Sequence, residues 1–313
     1  MGHRIPSRAW RLVIIAGLVW TAPAGAQELG HKTLGTLGLR AGSQPDSGLY
    51  VIDMPVFYRA DEVIDRNGDP IRLAPSVSVN ANSVGAQLTF KLPWHSMYMN
   101  ATIGIPTVRI RVRISVPEAS LDRFGFGDLY VQPVRIGWKK ARADIVAGYA
   151  FYAPTGLYSP REGVNLGKGE WSHQFSLGGA AYFGARKSWN ISALSSYNLN
   201  QRKREVDITR GDTVQIQGGA GKRLGLFDVG LAGYGLWQVR DDRGADLPDS
   251  LRGARTRAFG LGPEVNMTVP RIRGRITVRY CHDIAVRARP SGQILVIGLT
   301  IRAARWDSPR QRD

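Results

Sequence analysis

The sequence predicts an all-β fold, a transmembrane antiparallel β-barrel of the bacterial outer-membrane type with about twelve strands. Three observations lead to this prediction. Runs of about ten to fifteen residues alternate in polarity, the connections between them alternate between long polar loops and tight turns, and tryptophans lie near the ends of the runs. An outer-membrane barrel needs this alternation of connections, with short periplasmic turns and long external loops. Closing the sheet pairs every backbone polar group, so such a chain crosses lipid without apolar helices.

The composition excludes several classes of protein. The chain has 313 residues, of which 43% are hydrophobic and 9% aromatic, so it is too apolar to be disordered. Its one cysteine, Cys281, excludes an intramolecular disulfide scaffold. The net charge of +17 would suit a nucleic-acid binder, but the N-terminus argues against that function.

The N-terminus predicts export. Three arginines precede an apolar stretch at residues 12–20 and small residues at 24–26, which is typical of a cleaved secretory signal over residues 1–26. The apolar stretch is too short to span a bilayer, which needs about 20 residues. An exported protein rarely meets a genome, so no nucleic-acid partner is expected.

The remaining chain divides into three parts. We expect a periplasmic lead segment at residues 27–47, the barrel at 48–303 and a basic C-terminal tail at 304–313. The predicted strands are 48–58, 76–92, 97–117, 128–138, 143–154, 171–183, 188–200, 212–223, 226–240, 255–269, 272–284 and 292–303.

The connections carry the topology. The first, third, fifth, seventh, ninth and eleventh are predicted to be long external loops: 59–75, 118–127, 155–170, 201–211, 241–254 and 285–291. The intervening turns are tight. The tryptophans after the signal fall near strand ends, where barrels place their aromatic girdles: Trp94, Trp138, Trp171, Trp189, Trp237 and Trp306.

Strand 272–284 alternates apolar residues with Arg273, Arg275 and Arg279. An arginine facing lipid at the bilayer midplane would cost about 2–4 kcal/mol, so these side chains are predicted to line the lumen. Glu264, on the inward face of the preceding strand, is a candidate partner for them.

Strand 97–117 repeats the pattern, and Arg109, Arg111 and Arg113 are likewise predicted to line the lumen. Earlier in this strand the apolar residues have the opposite phase, which predicts a bulge near residues 104–106. Such a lumen has two interpretations: a narrow, positively biased conduit for anionic or aromatic solutes, or an interior filled by paired side chains. Twelve strands lie between the filled small barrels and the open large ones, so both interpretations stay open.

The sequence contains no convincing catalytic or metal site. No histidine is spaced for a metal site, and no cofactor is expected. The neighbours Ser172 and His173, like His282 and Asp283, point to opposite faces of a strand, so neither pair forms a catalytic couple. An outer-membrane lipid-modifying enzyme is therefore the third alternative, and the protein is predicted not to be an enzyme.

Several stretches resemble the outer-membrane proteins known as the meta-pathway of phenol degradation family, whose members are described as transporters. The stretches are 38–45 (GLRAGSQP), 48–50, 127–133 (GDLYVQP), 137–138, 147–156 (AGYAFYAPTG), 158–159, 169–179 and 211–222.

The resemblance implies a porin-like barrel in the outer membrane of Gram-negative bacteria that moves aromatic or hydrophobic compounds inward, and it supplies no catalytic residues. We therefore expect passive uptake of small organic or anionic solutes, with outer-membrane lipid and lipopolysaccharide as surroundings. The alternative from another class is a closed structural or interaction barrel without transport. The sequence determines neither the substrate nor whether the protein is monomeric or trimeric.

Overall fold

The computed structural model describes residues 33–71, 75–94, 96–115 and 118–306. Thirteen strands lie in these residues: β1 (Gly48–Ile64), β2 (Ser76–Lys91), β3 (Met97–Ser115), β4 (Glu118–Phe126), β5 (Leu129–Lys139), β6 (Ala143–Ala153), β7 (Ser172–Phe183), β8 (Trp189–Asn200), β9 (Thr213–Leu224), β10 (Phe227–Gln238), β11 (Arg257–Val269), β12 (Gly274–Arg287) and β13 (Arg289–Ala304). All neighbouring strands are antiparallel, and the pairings β1–β13 and β2–β3 close the sheet into a barrel.

β4 and β5 together occupy a single strand position in the barrel wall; we call each such position a stave. β4 pairs with the second half of β3, and β5 pairs with its first half. Gly127 and Asp128 interrupt the stave between them. The barrel therefore has twelve staves, and the predicted fold class is confirmed.

Two predicted external loops are strands instead. Residues 118–126 form β4, and the predicted loop 285–291 contains only the one-residue connection Ala288 between β12 and β13. β1 also continues to Ile64, beyond its predicted end at residue 58. Their polar composition hid these strands, because ladder pairing above the membrane needs no apolar outer face.

The strands differ in height around the barrel. β3 has 19 residues and β6 has 11, whereas a strand needs about 9–11 residues to cross a membrane. β1, β2, β3, β12 and β13 therefore rise as a wall beyond the hydrocarbon layer on the long-loop side.

Polarity inverts along β2 and β3 without any shift of register between these two strands. β2 and β3 pair without a break from Ser76 opposite Arg113 to Lys91 opposite Tyr98, so the predicted bulge near residues 104–106 is wrong. Lower in β3, Ile103 and Ile105 are 44% and 51% exposed and face outward.

Higher in the same strand, the apolar residues are the ones that point inward. Ile110 and Val112 are each 9% exposed and belong to the interior cluster. The apolar side chains of β3 therefore change from the outer to the inner face of the barrel. They do so because the surroundings of the outer face change from lipid to water, while the interior changes from polar to apolar.

Tight turns connect the strands at the other end of the barrel. Gly225, at φ +60°, joins β9 to β10 in the left-handed region that glycine adopts without strain. No helix among the described residues is long and apolar enough to cross a membrane. The predicted signal peptide and most of the basic tail lie outside the described residues.

Candidate functional site

Residues 33–47, which we call the lumen segment, lie inside the barrel. The sequence places them in the periplasm as a lead segment, but the structure holds them against the inner wall through side chains from several strands. Leu37 N donates to Gln217 Oε1 at 3.1 Å, and Gly42 N donates to Ser192 Oγ at 3.1 Å. The polar inner wall replaces water as the partner of this backbone, which allows the segment to be buried.

A buried ion pair in the wall also holds the lumen segment. Glu264 Oε2 lies 2.7 Å from Arg279 Nε, and the two side chains are 1% and 6% exposed. Leu39 N donates to the same carboxylate oxygen at 3.0 Å, and Arg279 Nη1 donates to Gly35 O at 3.0 Å. Both members of the pair thus contact the segment directly.

The end of the lumen segment crosses to the opposite wall. Gln44 accepts from Asn100 Nδ2 at 2.9 Å, and Asn100 Oδ1 accepts from Gln132 Nε2 at 2.8 Å. Asp46 then pairs with Lys139 at 2.7 Å, just before β1 begins. The segment therefore crosses the lumen and divides its space in two.

On the long-loop side lies an apolar chamber of about 320 Å³. Its wall includes aliphatic side chains from the raised parts of β1, β2 and β3: Met54, Val56, Val79, Ala81, Val108 and Ile110. Leu34 and Leu37 of the lumen segment form part of its floor. Its volume lies at the small end of the range of ligand pockets.

The external loop 154–171 covers part of the chamber, to which it contributes Asn165, Leu166 and Lys168. Asp128, at the break in the fourth stave, holds this loop. Its Oδ1 accepts from Gly156 N at 3.0 Å and its Oδ2 accepts from Lys168 N at 2.7 Å.

At the end of this loop, Glu170 is 3% exposed and its Oε2 has no hydrogen-bond partner in the described part of the chain. Burial raises the pKa of its carboxyl to about 8, and the charges of Lys203 and Lys168 offset only part of that effect.

A buried polar cluster adjoins the chamber. Tyr234 and Tyr58 both line the chamber. Tyr234 donates its hydroxyl to Asp283 at 2.7 Å, and the Tyr58 hydroxyl lies 3.0 Å from Pro290 O and 3.3 Å from the same carboxylate. Gly292 N donates to the same carboxylate at 3.0 Å. Arg289, also in the chamber wall, is 2% exposed, and its Nη1 has no partner among the described residues.

On the short-turn side lies a larger space of about 1120 Å³, the basic vestibule. Its basic lining residues are Arg40, Arg135, Lys139, Lys140, Lys187, Arg223, Arg273, Arg275, Arg302 and Arg305, and its acidic ones are Asp46 and Asp144. Leu37 and Arg135 line both spaces and so mark the boundary between them.

The predicted lumen residues of β3 lie on the outer face. Arg109 and Arg111 pair with Asp122 of β4 at 2.8 Å and 2.9 Å and are 46% and 39% exposed. Arg113 is also exposed and shares their face. The prediction is wrong for these three residues because it assumed lipid outside the whole length of the strand.

The predicted residues of β11 and β12 lie inside. Glu264 and Arg279 form the ion pair described above, and Arg275 lines the vestibule. Arg273 precedes β12 in a turn, with φ +49°, and also lines the vestibule, so it is not part of a strand ladder.

Sequence reasoning missed the lumen segment, Tyr58, Tyr234 and Arg289. One signal was available in the sequence. Asp283 follows Arg279 by four residues, so the two side chains share the inward face of β12. The arginine of β13 was hidden because it fell inside a predicted loop.

In each of the two pairs of neighbours that contain a histidine, the two side chains lie on opposite faces of the barrel wall. Ser172 is buried while its neighbour His173 is on the other face, and Asp283 is buried while His282 is exposed. No group of His, Cys, Asp and Glu residues within the described ranges could hold a metal ion.

A family model described as "Putative MetA-pathway of phenol degradation" matches residues 65–297. The chain belongs to this family. The matched region includes the chamber residues of β2 to β13 and begins after the lumen segment. No curated protein sequence matches the chain.

The solved structures that share this fold include an outer membrane channel and the transport unit of an autotransporter. An outer membrane channel from Pseudomonas putida F1 is 14% identical, with a TM-score of 0.72, and the match covers 83% of this chain and 97% of that one. The transport unit of the autotransporter AIDA-I from Escherichia coli is 9% identical, with a TM-score of 0.54, over 92% and 96% of the two chains.

Proposed function

We propose that this barrel is a channel in the bacterial outer membrane for passive uptake of small organic compounds, with no chemical step. The apolar chamber carries the proposal. A barrel that only filled its interior would not need an aliphatic cavity on the side that faces the medium. The family's description, which refers to phenol degradation, and the channel from Pseudomonas putida support this function.

The proposed path runs from the external loops through the chamber to the vestibule. An aromatic ring entering the chamber leaves water, a transfer that is favourable by about 25 cal/mol per Å² of apolar surface. The lumen segment lies between the chamber and the vestibule, so the passage that connects them is narrow. A narrow passage with an apolar entrance selects for small organic molecules against large hydrated ones.

The outer surface and the N-terminus support the proposed location. Lower in the barrel the outward residues are apolar, such as Val84 at 50% and Leu177 at 63% exposed, which suits contact with lipid. We propose that the signal at residues 1–26 directs export and is cleaved, and that lipopolysaccharide surrounds the raised wall. No nucleic-acid partner is proposed.

Filling the chamber tests the function. Val108→Trp places a large ring in the chamber, whereas Ile105→Trp places the same ring on the lipid-facing side of the same strand. Initial uptake of radiolabelled phenol is measured in a deletion strain that carries each variant.

We expect Val108→Trp to reduce uptake to the level of the deletion strain and Ile105→Trp to preserve it. Equal uptake by all strains, together with a fragile envelope in the deletion strain, would instead favour the closed structural barrel.

A further inference from the structure

We infer that the apolar chamber selects organic acids, with the substrate carboxylate bound by Arg289 and its apolar body against the aliphatic wall. This inference rests on the proposed function and narrows it to a substrate class. It depends on one buried cation, Arg289, whose hydrogen-bonding capacity the described part of the protein uses only in part.

Arg289 is fixed in position by the backbone. Ala288, at φ +53°, forms the whole connection between β12 and β13, and its N–H donates to Asp65 O at 2.9 Å. The next residue, Arg289, pairs with Ile64 in the β1–β13 ladder. The backbone of Arg289 is thus fixed by pairing between β1 and β13.

The guanidinium is buried but incompletely paired. Arg289 is 2% exposed, and its Nη1 has no hydrogen-bond partner among the described residues. Its Nε donates to the carbonyl of Pro290 at 3.4 Å, and its side chain also hydrogen-bonds the Tyr58 hydroxyl. None of these partners carries a compensating negative charge, and burying a charge without one is costly, so such a group gains much from an incoming anion.

The carboxylates of the region are directed elsewhere. Asp283 accepts from the Tyr234 hydroxyl and from Gly292 N, and Asp128 accepts from two backbone amides of the external loop. In contrast, the other ionised side chains of the chamber lining, Arg135 and Lys168, are cationic. The chamber therefore favours a negative solute.

The geometry of the group favours a carboxylate. Guanidinium binds carboxylate through two parallel hydrogen bonds, which a neutral hydroxyl cannot reproduce. The chamber volume of about 320 Å³ equals that of roughly ten waters, which is room for one aromatic ring with a short acidic group.

Equilibrium dialysis of the full barrel in lipid nanodiscs tests this inference, with empty nanodiscs as the blank. The probes are benzoate, which is ionised at pH 7.5, and benzyl alcohol, its neutral counterpart of similar size. The variants are Arg289→Gln and Arg287→Gln; Arg287 is an exposed arginine two residues away. A heat-dependent shift on a denaturing gel verifies that each variant is folded.

We expect the unmodified barrel and Arg287→Gln to bind benzoate about tenfold or more tightly than benzyl alcohol. Arg289→Gln should lose this preference while its affinity for benzyl alcohol stays the same. Binding of both probes without a preference for benzoate, or a preference unchanged in Arg289→Gln, would overturn the inference and leave the apolar chamber as a binding site. Binding of neither probe would overturn the proposed function as well.

Discussion

The backbone amide of Leu39 donates to Glu264 at 3.0 Å, so a residue that precedes the first strand is held by a carboxylate of the eleventh. The same oxygen accepts from Arg279 Nε at 2.7 Å. One carboxylate therefore neutralises a buried guanidinium and holds the lumen segment, which couples the stability of the wall to the closure of the lumen.

Replacing this carboxylate should loosen the segment. Glu264→Gln leaves Arg279 buried without its counter-charge, which typically costs about 3–5 kcal/mol. We expect faster hydrogen exchange in residues 33–47 and a lower urea midpoint, measured on the refolded barrel by mass spectrometry and fluorescence. Glu62→Gln, at an exposed glutamate of β1, should change neither. Unchanged exchange in Glu264→Gln would show that other contacts hold the segment.

A methyl group should displace the segment at another point. A Cβ on Gly42 would lie 1.9 Å from Gly179 O, a backbone atom of β7 that cannot rotate away. We expect Gly42→Ala to raise the single-channel conductance in planar bilayers, because the segment moves away from the wall. Thr36→Ala, which removes one hydrogen bond within the segment, is the control. Equal conductance in both variants would contradict this role of the close contact.

The periodicity of the sequence was enough to predict the closed barrel, because a lipid-facing strand must alternate. It failed for β3 above Ile105, where the outer face meets water and can therefore carry the exposed Arg109–Asp122 ion pair. The lumen segment could not be predicted because its partners, Gln217 and Glu264, are 180 and 225 residues away in the chain. No local pattern encodes such contacts.

The two predicted arginine sets should differ in their effect on ion selectivity. Arg275 lines the vestibule, whereas Arg111 pairs with Asp122 on the outer face. We expect Arg275→Gln to reduce anion preference, read from the reversal potential across a salt gradient, and Arg111→Gln to leave it unchanged. An equal shift in both variants would mean that ions pass along the outer wall or that the vestibule does not set selectivity.

Arg111→Gln should also have little effect on stability. An exposed ion pair typically contributes about 0–1 kcal/mol, and Arg109 remains bound to Asp122 through two hydrogen bonds. A urea midpoint close to that of the unmodified barrel would agree with this expectation. A large decrease would indicate that the β3–β4 hairpin depends on this pair.

The pH dependence of stability should identify the buried carboxyl of the external loop. Burial raises the pKa of Glu170 in the folded barrel from its ordinary value of 4.5 to about 8. A raised pKa means that the folded state binds the proton more tightly than the unfolded state does. The contribution of Glu170 to stability is therefore fully present below pH 4.5, falls as the pH rises, and is lost above about pH 8.

Glu170→Gln cannot ionise, so it should escape this loss. We expect the variant to be more stable than the unmodified barrel at pH 9, by on the order of a few kcal/mol, with the difference closing toward pH 4.5. Urea midpoints at the two pH values measure it, and Glu118→Gln, at an exposed glutamate of β4, corrects for general effects of pH. If the two glutamate variants had the same pH profile, Glu170 would be ionised in the folded barrel at neutral pH, and the cations beside it would outweigh its burial.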